Sequence, residues 1–402
     1  MNRIIGAFKA LFVIVFFLLS CASIVITQAI GVLFSFSPDM KEGWICNTKT
    51  HFIIALITSF RFLSSTPIHL NVSTSNPKLR KRIMINESGS LQVNLCGKIV
   101  VIANHQIYTD WAYIWYLLFK ANGLSSFIYI MLKDSLKHLP ILGFGMQRFR
   151  FIFLSRSWKS DEITMGNALS RIDADARGKG TSSGCLRDLY GEFEAGIDKN
   201  KTWPFALVLF PEGTNLSANT RGKSEAYALK NNKPIFKHVL LPKTTGLRYS
   251  LLKLKDSTDE VIDLTMGYSG VKPEEYGQDI YKLEDILING KNPDTVSLHL
   301  ETLSIRDIPI GKLHYTDPEE EARDKAVFEE WVFQRWAIKD ELMDRYYKTG
   351  KFVDNDDDIV KSQLEYEWFN IISIFLVPGL LIILALLVGK YYPVLEEIVG
   401  LR

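Results

Sequence analysis

Two hydrophobic patterns divide the chain. Residues 11–36 and 368–388 are almost wholly apolar runs, each long enough for the roughly 20 residues that a helix needs to cross a bilayer. The first follows Arg3 and Lys9 as a signal peptide would, but its apolar run is too long for one and reads as a retained anchor. Pro378-Gly379 interrupts the second without shortening it below a span. A shorter apolar stretch, residues 52–60, predicts a segment that re-enters or lies at the interface. The basic run Lys78, Arg80, Lys81 and Arg82 then predicts a cytosolic flank. Between the spans the pattern changes. Short β-branched or aromatic runs at 99–103, 127–131, 149–154, 206–210, 262–266 and 296–300 read as strands, with helical patterns between them at 110–120 and 221–231. That alternation predicts an α/β sheet covered by helices.

Three further segments complete the organisation. Residues 176–184 are rich in Gly and Ser but lack the spacing of a phosphate-binding loop, so they predict a mobile linker. Residues 318–347 predict a charged helix with Val327, Trp331, Phe333, Trp336, Leu342 and Tyr346 mainly on one face, packed on the domain or the membrane. Residues 354–358 read as an acidic, solvated spacer. The expected division is an N-terminal anchor at 1–64, a main domain at 65–315, a charged helix and linker at 316–365, and a C-terminal span at 366–390.

Composition narrows the function. A formal charge of +2, with Lys and Arg scattered rather than striped, gives no case for nucleic acid. The 47% hydrophobic content suggests membrane contact, and the two runs explain it. The four cysteines and the six histidines other than His105 lack paired or ligand spacing, so neither a disulfide framework nor a metal site is expected. Asn71 and Asn86 open formal glycosylation sequons, expected to be unused if the domain is cytosolic.

The candidate chemistry begins at residues 98–103, a buried-looking strand that delivers His105, with Asp110 five residues later. On a regular helix five residues rotate by roughly 500°, leaving the two side chains about 140° apart. They meet only if His105 lies in the strand-to-helix turn and Asp110 in the first helical turn, with Thr109 as N-cap. An aspartate held against a histidine fixes its tautomer and prepares a general base, whereas the bland alternative is a helix cap beside a core histidine. A second signature, Phe210-Pro-Glu-Gly-Thr214, ends a buried strand in a turn whose N–H groups can cradle an anion.

Together these motifs resemble the glycerolipid acyltransferase family, whose His-Asp pair stands near the start of the domain and whose Pro-Glu-Gly turn follows later. Lys133-Asp-Ser-Leu-Lys-His-Leu-Pro140, Gly143, Gly145 and Phe151-Ile-Phe-Leu-Ser-Arg156 are similar to the family's second block. Leu240-Leu-Pro-Lys-Thr-Thr-Gly-Leu247 resembles the fourth. The residues after Pro-Glu-Gly-Thr look most like the lysocardiolipin acyltransferase-like branch, whose fungal relatives acylate lysophosphatidylinositol.

The resemblance implies a glycerolipid acyltransferase-like sheet and an enzyme that needs no cofactor, with acyl-CoA as co-substrate. The acyl group would pass to a lysophospholipid acceptor at the lipid bilayer. His105 would deprotonate the acceptor hydroxyl while Asp110 orients it, and Glu212, Gly213 and Thr214 would hold the glycerol-phosphate region, with Lys133 and Arg156 as candidate cations or structural ion pairs. Backbone N–H groups near Asn104 or in the second block are candidate oxyanion donors. Lysophosphatidylinositol is the expected acceptor because Asn215 stands where many lysophosphatidic acid enzymes of the family have an arginine. Lysophosphatidic acid is the alternative acceptor. A lipid or thioester hydrolase and an inactive membrane scaffold are the rival classes. The nearest approach to a hydrolase elbow, Gly267-Tyr-Ser-Gly-Val271, lacks its final glycine. The endoplasmic reticulum membrane is the expected location, with the domain facing the cytosol. The oligomeric state stays open.

Overall fold

The computed structural model describes residues 2–183, 202–365 and 368–399. Helix α1 (Asn2–Leu33) turns back into α2 (Pro38–Leu63), which Ser37 caps. The chain then forms β1 (His69–Ser73), a short α3 (Pro77–Arg80), the hairpin strands β2 (Ile83–Ile85) and β3 (Leu91–Val93), and the central β4 (Lys98–Ala103). Next come α4 (Asp110–Phe119), β5 (Ile128–Lys133), α5 (Leu142–Arg148), β6 (Ile152–Leu154), α6 (Trp158–Ala176) and β7 (Phe205–Leu209). Helices α7 (Ala218–Lys230) and α8 (Thr244–Leu254) lead to β8 (Glu260–Tyr268), followed by the short α9 (Gly277–Ile280) and α10 (Leu283–Asn289) and by β9 (Thr295–Leu303). The long α11 (Pro318–Thr349), the edge strand β10 (Ile359–Gln363) and α12 (Trp368–Val399) complete the described chain.

Eight strands form one sheet in the order β10-β1-β9-β8-β4-β7-β5-β6. Strands β8, β4, β7, β5 and β6 run parallel, so their carboxyl ends share one edge. The pleat assigns β4 to both faces. Ile99, Val101 and Ala103 join a core with Trp115 and Tyr113 of α4 and Phe60 of α2, while Val100 and Ile102 join a second core with Leu169 of α6, Leu251 of α8 and Trp336 of α11. Because the chain leaves β4 towards β5 on one side and places β8 on the other, β4 ends at a crevice of the kind where open α/β sheets bind ligands.

The boundaries differ from the sequence expectation in physically clear ways. Residues 52–60 do not form an interfacial segment: they are the inner half of α2, and Ile53, Leu56, Ile57 and Phe60 pack into the domain's own core. The domain does not end at 315. Phe328, Val332, Trp336, Met343 and Tyr346 of α11 fill the second core, and β10 pairs antiparallel with β1. Val327, expected on the packed face, points outward, and the adjacent Phe328 is buried instead. In the stretch 354–358, expected as a solvated spacer, Asp356–Asp358 form one short turn leading into β10 and residues 354–357 are exposed. The Pro378-Gly379 pair leaves α12 unbroken.

Two polar groups explain part of this packing. Lys339, 1% exposed, lies in α11 with its ammonium paired to buried Asp263 of β8, which Arg335 also contacts at 2.6 Å. Of the basic run expected to mark a cytosolic flank, Arg82 grips Glu260 through both carboxylate oxygens at 2.6 and 2.8 Å. Arg80 donates to the carbonyls of Asp357 and Ile83. In the stretch expected to be a mobile linker, Asp175 accepts from the amide of Ser182 at 2.8 Å, which ties residues up to 183 to α6; Gly184 and Cys185 lie outside the described residues.

Among the described residues two helices are long and apolar enough to cross a membrane, Phe8–Leu33 and Trp368–Tyr391. They pack on each other, with Ser23 Oγ donating to the Ile374 carbonyl and Phe16 against Phe375. Leu11, Phe12, Leu18 and Leu19 of α1 stay exposed, as do Leu380, Ile382 and Leu386 of α12. Such a surface is unfavourable in water and suited to lipid.

Candidate active site

His105 follows β4 in an extended turn, and Asp110 opens α4. The parity of β4 carries His105 towards the face that α4 covers, so the strand-turn-helix geometry closes the gap that a continuous helix would leave. His105 Nδ1 lies 2.8 Å from Asp110 Oδ2. Asp110 is fully buried and accepts three further kinds of donor: the Gln106 amide at 2.6 Å, the Ile107 amide at 3.2 Å and the Tyr268 hydroxyl at 2.5 Å. Thr109 occupies the N-cap position but makes no side-chain cap bond; Asp110 itself satisfies the amides of the turn. With Nδ1 against the carboxylate, Nε2 is the nitrogen left to take a proton. The His105 side chain is 19% exposed, enough for a substrate to reach it. Phe210 stacks on the imidazole with centroids 4.5 Å apart and limits its rotation.

Glu212 has a framing role. It is buried, with Oε1 accepting from the His105 amide at 3.3 Å and Oε2 from the Leu240 amide at 3.2 Å. One carboxyl therefore joins the turns after β4 and β7 to the segment before α8. Burial pushes its pKa up to about 8, against the opposing pull of the Leu240 and His105 amides and the Trp336 indole. Glu212 is accordingly an internal brace rather than a solvent-facing ligand for a glycerol hydroxyl. Gly213 adopts φ +72°, a left-handed conformation that favours glycine, and Thr214 is half-buried beside it. Asn215, expected to meet the head group, turns inward: its buried amide donates to Gln278 Oε1 at 2.6 Å.

The remaining expected residues divide by geometry. Lys133 ends β5, the strand beside β7, on the sheet edge that also carries His105, and Arg156 lies just past β6, one strand further out. Both are exposed, and among the described residues neither forms an ion pair. Arg156 has φ +69°, a conformation uncommon for a residue with a side chain. Of the expected oxyanion donors near Asn104, the amides of His105, Gln106 and Ile107 are already bonded to Glu212 or Asp110. The Asn104 side chain instead brackets the Met266 backbone, accepting from its amide at 2.8 Å and donating to its carbonyl at 3.0 Å. Ser269, the serine nearest a hydrolase elbow, accepts from the Thr295 amide through Oγ at 2.9 Å.

Sequence reading missed two residues. Tyr268 arrives from β8, and nothing in its local pattern links it to Asp110, 158 residues away. Lys243 lies across the Gly213 turn, with its ammonium 3.1 Å from where a Cβ on Gly213 would stand. Its block was visible in the sequence, but its side-chain position was not.

The acyltransferase family profile matches residues 84–268, the segment holding every site residue named above except Ser269, Gln278, Thr295 and Trp336. The chain is 39% identical over 356 residues to the 2-acyl-1-lysophosphatidylinositol acyltransferase of Saccharomyces cerevisiae, covering 86% of each protein. It is 30% identical to lysocardiolipin acyltransferase 1 of Gallus gallus, over 63% of this chain and 55% of that protein. Among solved structures, the 1-acyl-sn-glycerophosphate acyltransferase of Thermotoga maritima is a distant likeness. It has 13% identity and a TM-score of 0.38, covering 83% of this chain and 98% of that one. With its paired histidine and aspartate at the carboxyl edge of parallel strands, and with the yeast and chicken relatives, the chain belongs to the glycerolipid acyltransferase family, in the branch similar to the yeast lysophosphatidylinositol acyltransferase and the vertebrate lysocardiolipin acyltransferases.

Proposed function

We propose that this acyltransferase moves a fatty acyl group from acyl-CoA to a free hydroxyl of lysophosphatidylinositol at a membrane surface. The observation that carries the reading is the His105–Asp110 pair, because it leaves an accessible Nε2 on an imidazole held by a fully buried carboxylate. His105 Nε2 takes the hydroxyl proton, and Asp110 stabilises the imidazolium that forms. The alkoxide attacks the thioester carbonyl, the C–S bond breaks, and the imidazolium returns its proton to the coenzyme A thiolate. The products are a diacyl phospholipid and free coenzyme A. A thiolate is a good leaving group, so this route needs no covalent enzyme intermediate. Lys133 and Arg156, on the same edge, serve as cations for substrate phosphates.

The yeast relative's named substrate supports the choice of acceptor, and the apolar surfaces of α1 and α12 support work at a bilayer. We place the enzyme in the endoplasmic reticulum with its domain on the cytosolic side, where the charged acyl-CoA is available. Membranes containing the protein, given labelled acyl-CoA with lysophosphatidylinositol, lysophosphatidic acid or no acceptor, test the reading. The expected result is acceptor-dependent label in phosphatidylinositol. Dominant labelling of phosphatidic acid replaces the acceptor, and release of free acid without any acceptor replaces the reaction class. Protease added to sealed microsomes should cut the domain; complete protection reverses the proposed orientation.

A further inference from the structure

Resting on that reading, we propose that Lys243 binds a phosphate of the substrate over the Pro211-Glu-Gly-Thr214 turn. Its side chain fills the space above Gly213, with Nζ, Cε and Cδ at 3.1, 3.4 and 3.5 Å from the ideal Cβ position. The backbone beneath is locked to the same turn: the Lys243 amide donates to the Pro211 carbonyl at 2.8 Å, and the Leu240 amide to Glu212 at 3.2 Å. Glu212 also holds the His105 amide, so the backbone that carries the Lys243 side chain is fixed through one short frame to the loop that carries the base.

The charge on Lys243 is uncompensated. Its side chain is exposed, and among the described residues it makes neither an ion pair nor a side-chain hydrogen bond. The nearest carboxyl of the turn, Glu212, is buried with both oxygens taken by backbone donors. Two other polar side chains near the turn are already engaged. Asn215 donates to Gln278, and Arg221 is held by the Lys237 carbonyl with its guanidinium over the Tyr276 ring at 5.5 Å. Lys133 ends the strand beside β7, so a phosphate over the turn would lie on the edge shared by both lysines. A glycine at the floor lets a bulky anion approach the backbone, and an ammonium at its side supplies the counter-charge.

A phosphodiester of the acceptor and the phosphates of coenzyme A share this chemistry, and kinetics distinguish them. Lys243→Met keeps the apolar stem and removes the charge, while Lys243→Arg keeps the charge. Full-length protein in detergent micelles is assayed with labelled acyl-CoA and lysophosphatidylinositol, each varied at saturation of the other. Lys243→Met is expected to raise one KM by about 10- to 100-fold, the effect of losing a charge-assisted hydrogen bond, with Lys243→Arg restoring most of it. A rise in the KM for lysophosphatidylinositol assigns the site to the acceptor; a rise in the KM for acyl-CoA assigns it to the donor. Unchanged KM values for both substrates overturn the proposal. A fall in kcat alone, with a lowered melting temperature and no rescue by Arg, also overturns it by giving Lys243 a structural role. If the wild-type protein transfers no acyl group, the functional reading itself has failed, independently of Lys243.

Discussion

Among the described residues three histidines contact carboxylates, and the contrast between two of them, His105 and His238, separates a histidine placed to move a proton from one that is not. His105 meets a fully buried Asp110 that three other groups hold in place, and its ring is partly open to solvent. His238 is 1% exposed, its Nε2 lies 3.2 Å from the half-buried Asp344, and Tyr347 packs against its ring. Asp344 also pairs with Lys237 and Lys348. Burial pushes the pKa of His238 down, although Asp344 opposes the shift. A histidine-carboxylate contact is therefore not in itself a base. The base needs a rigid carboxylate behind one nitrogen and an approachable partner for the other.

The sharpest way to break the comparison is Asp110→Asn, which removes the charge and can favour the wrong tautomer. Turnover is expected to fall by about 10³- to 10⁴-fold while expression and membrane extraction stay normal. A loss below ten-fold, measured where chemistry limits the rate, would make Asp110 a helix-start residue only. Tyr268→Phe deletes a single hydroxyl that donates to Asp110. We expect kcat to drop by about ten-fold with the acceptor KM unchanged, as the bond contributes about 1.5–3 kcal/mol to holding the pair. A rise in KM at constant kcat would place Tyr268 in substrate binding instead.

Glu212 yields a pH test. Its folded-state pKa is raised by burial to about 8 from an ordinary 4.5, so between these values the folded protein keeps a proton that the unfolded chain has lost. Its contribution to stability is thus fully present below about 4.5 and declines as pH rises to about 8. In Glu212→Gln the melting temperature should fall less steeply over that window than in wild type, although the amide cannot accept at both former oxygen positions. Identical slopes would show that the carboxyl is not buried in the functional protein. The smallest effect is expected for His238→Asn, a loss of about 1–2 kcal/mol in stability with kcat within about three-fold of wild type. A catalytic loss comparable to that of Asp110→Asn would erase the distinction between the two histidines.

What the sequence disclosed follows from how locally each feature is encoded. The His105–Asp110 pair lies within one strand-turn-helix unit, so spacing alone constrained its geometry. The strands around 99–103 and 206–210 were legible because buried parallel strands are continuous apolar runs. Strands β1 and β10 escaped notice because each is short and partly polar, and their pairing joins residues about 290 apart, such as Leu70 with Ser362. The α2 helix was misread for a related reason. Its apolar stretch is consistent with lipid or protein, and only the packing of Phe52 against Trp115 and Phe149 decides between them. Tyr268, Lys243 and the Lys339–Asp263 pair depend on the same long-range assembly.

The most direct measurement is acyl transfer by His105→Ala, with labelled acyl-CoA and saturating lysophosphatidylinositol under conditions where chemistry limits the rate. General-base assistance contributes about 10²- to 10⁴-fold, so the expected turnover is at least a hundred-fold below wild type in a protein that remains folded in the membrane. Turnover within a few-fold of wild type would show that His105 is not the base and that the reaction runs elsewhere in the fold.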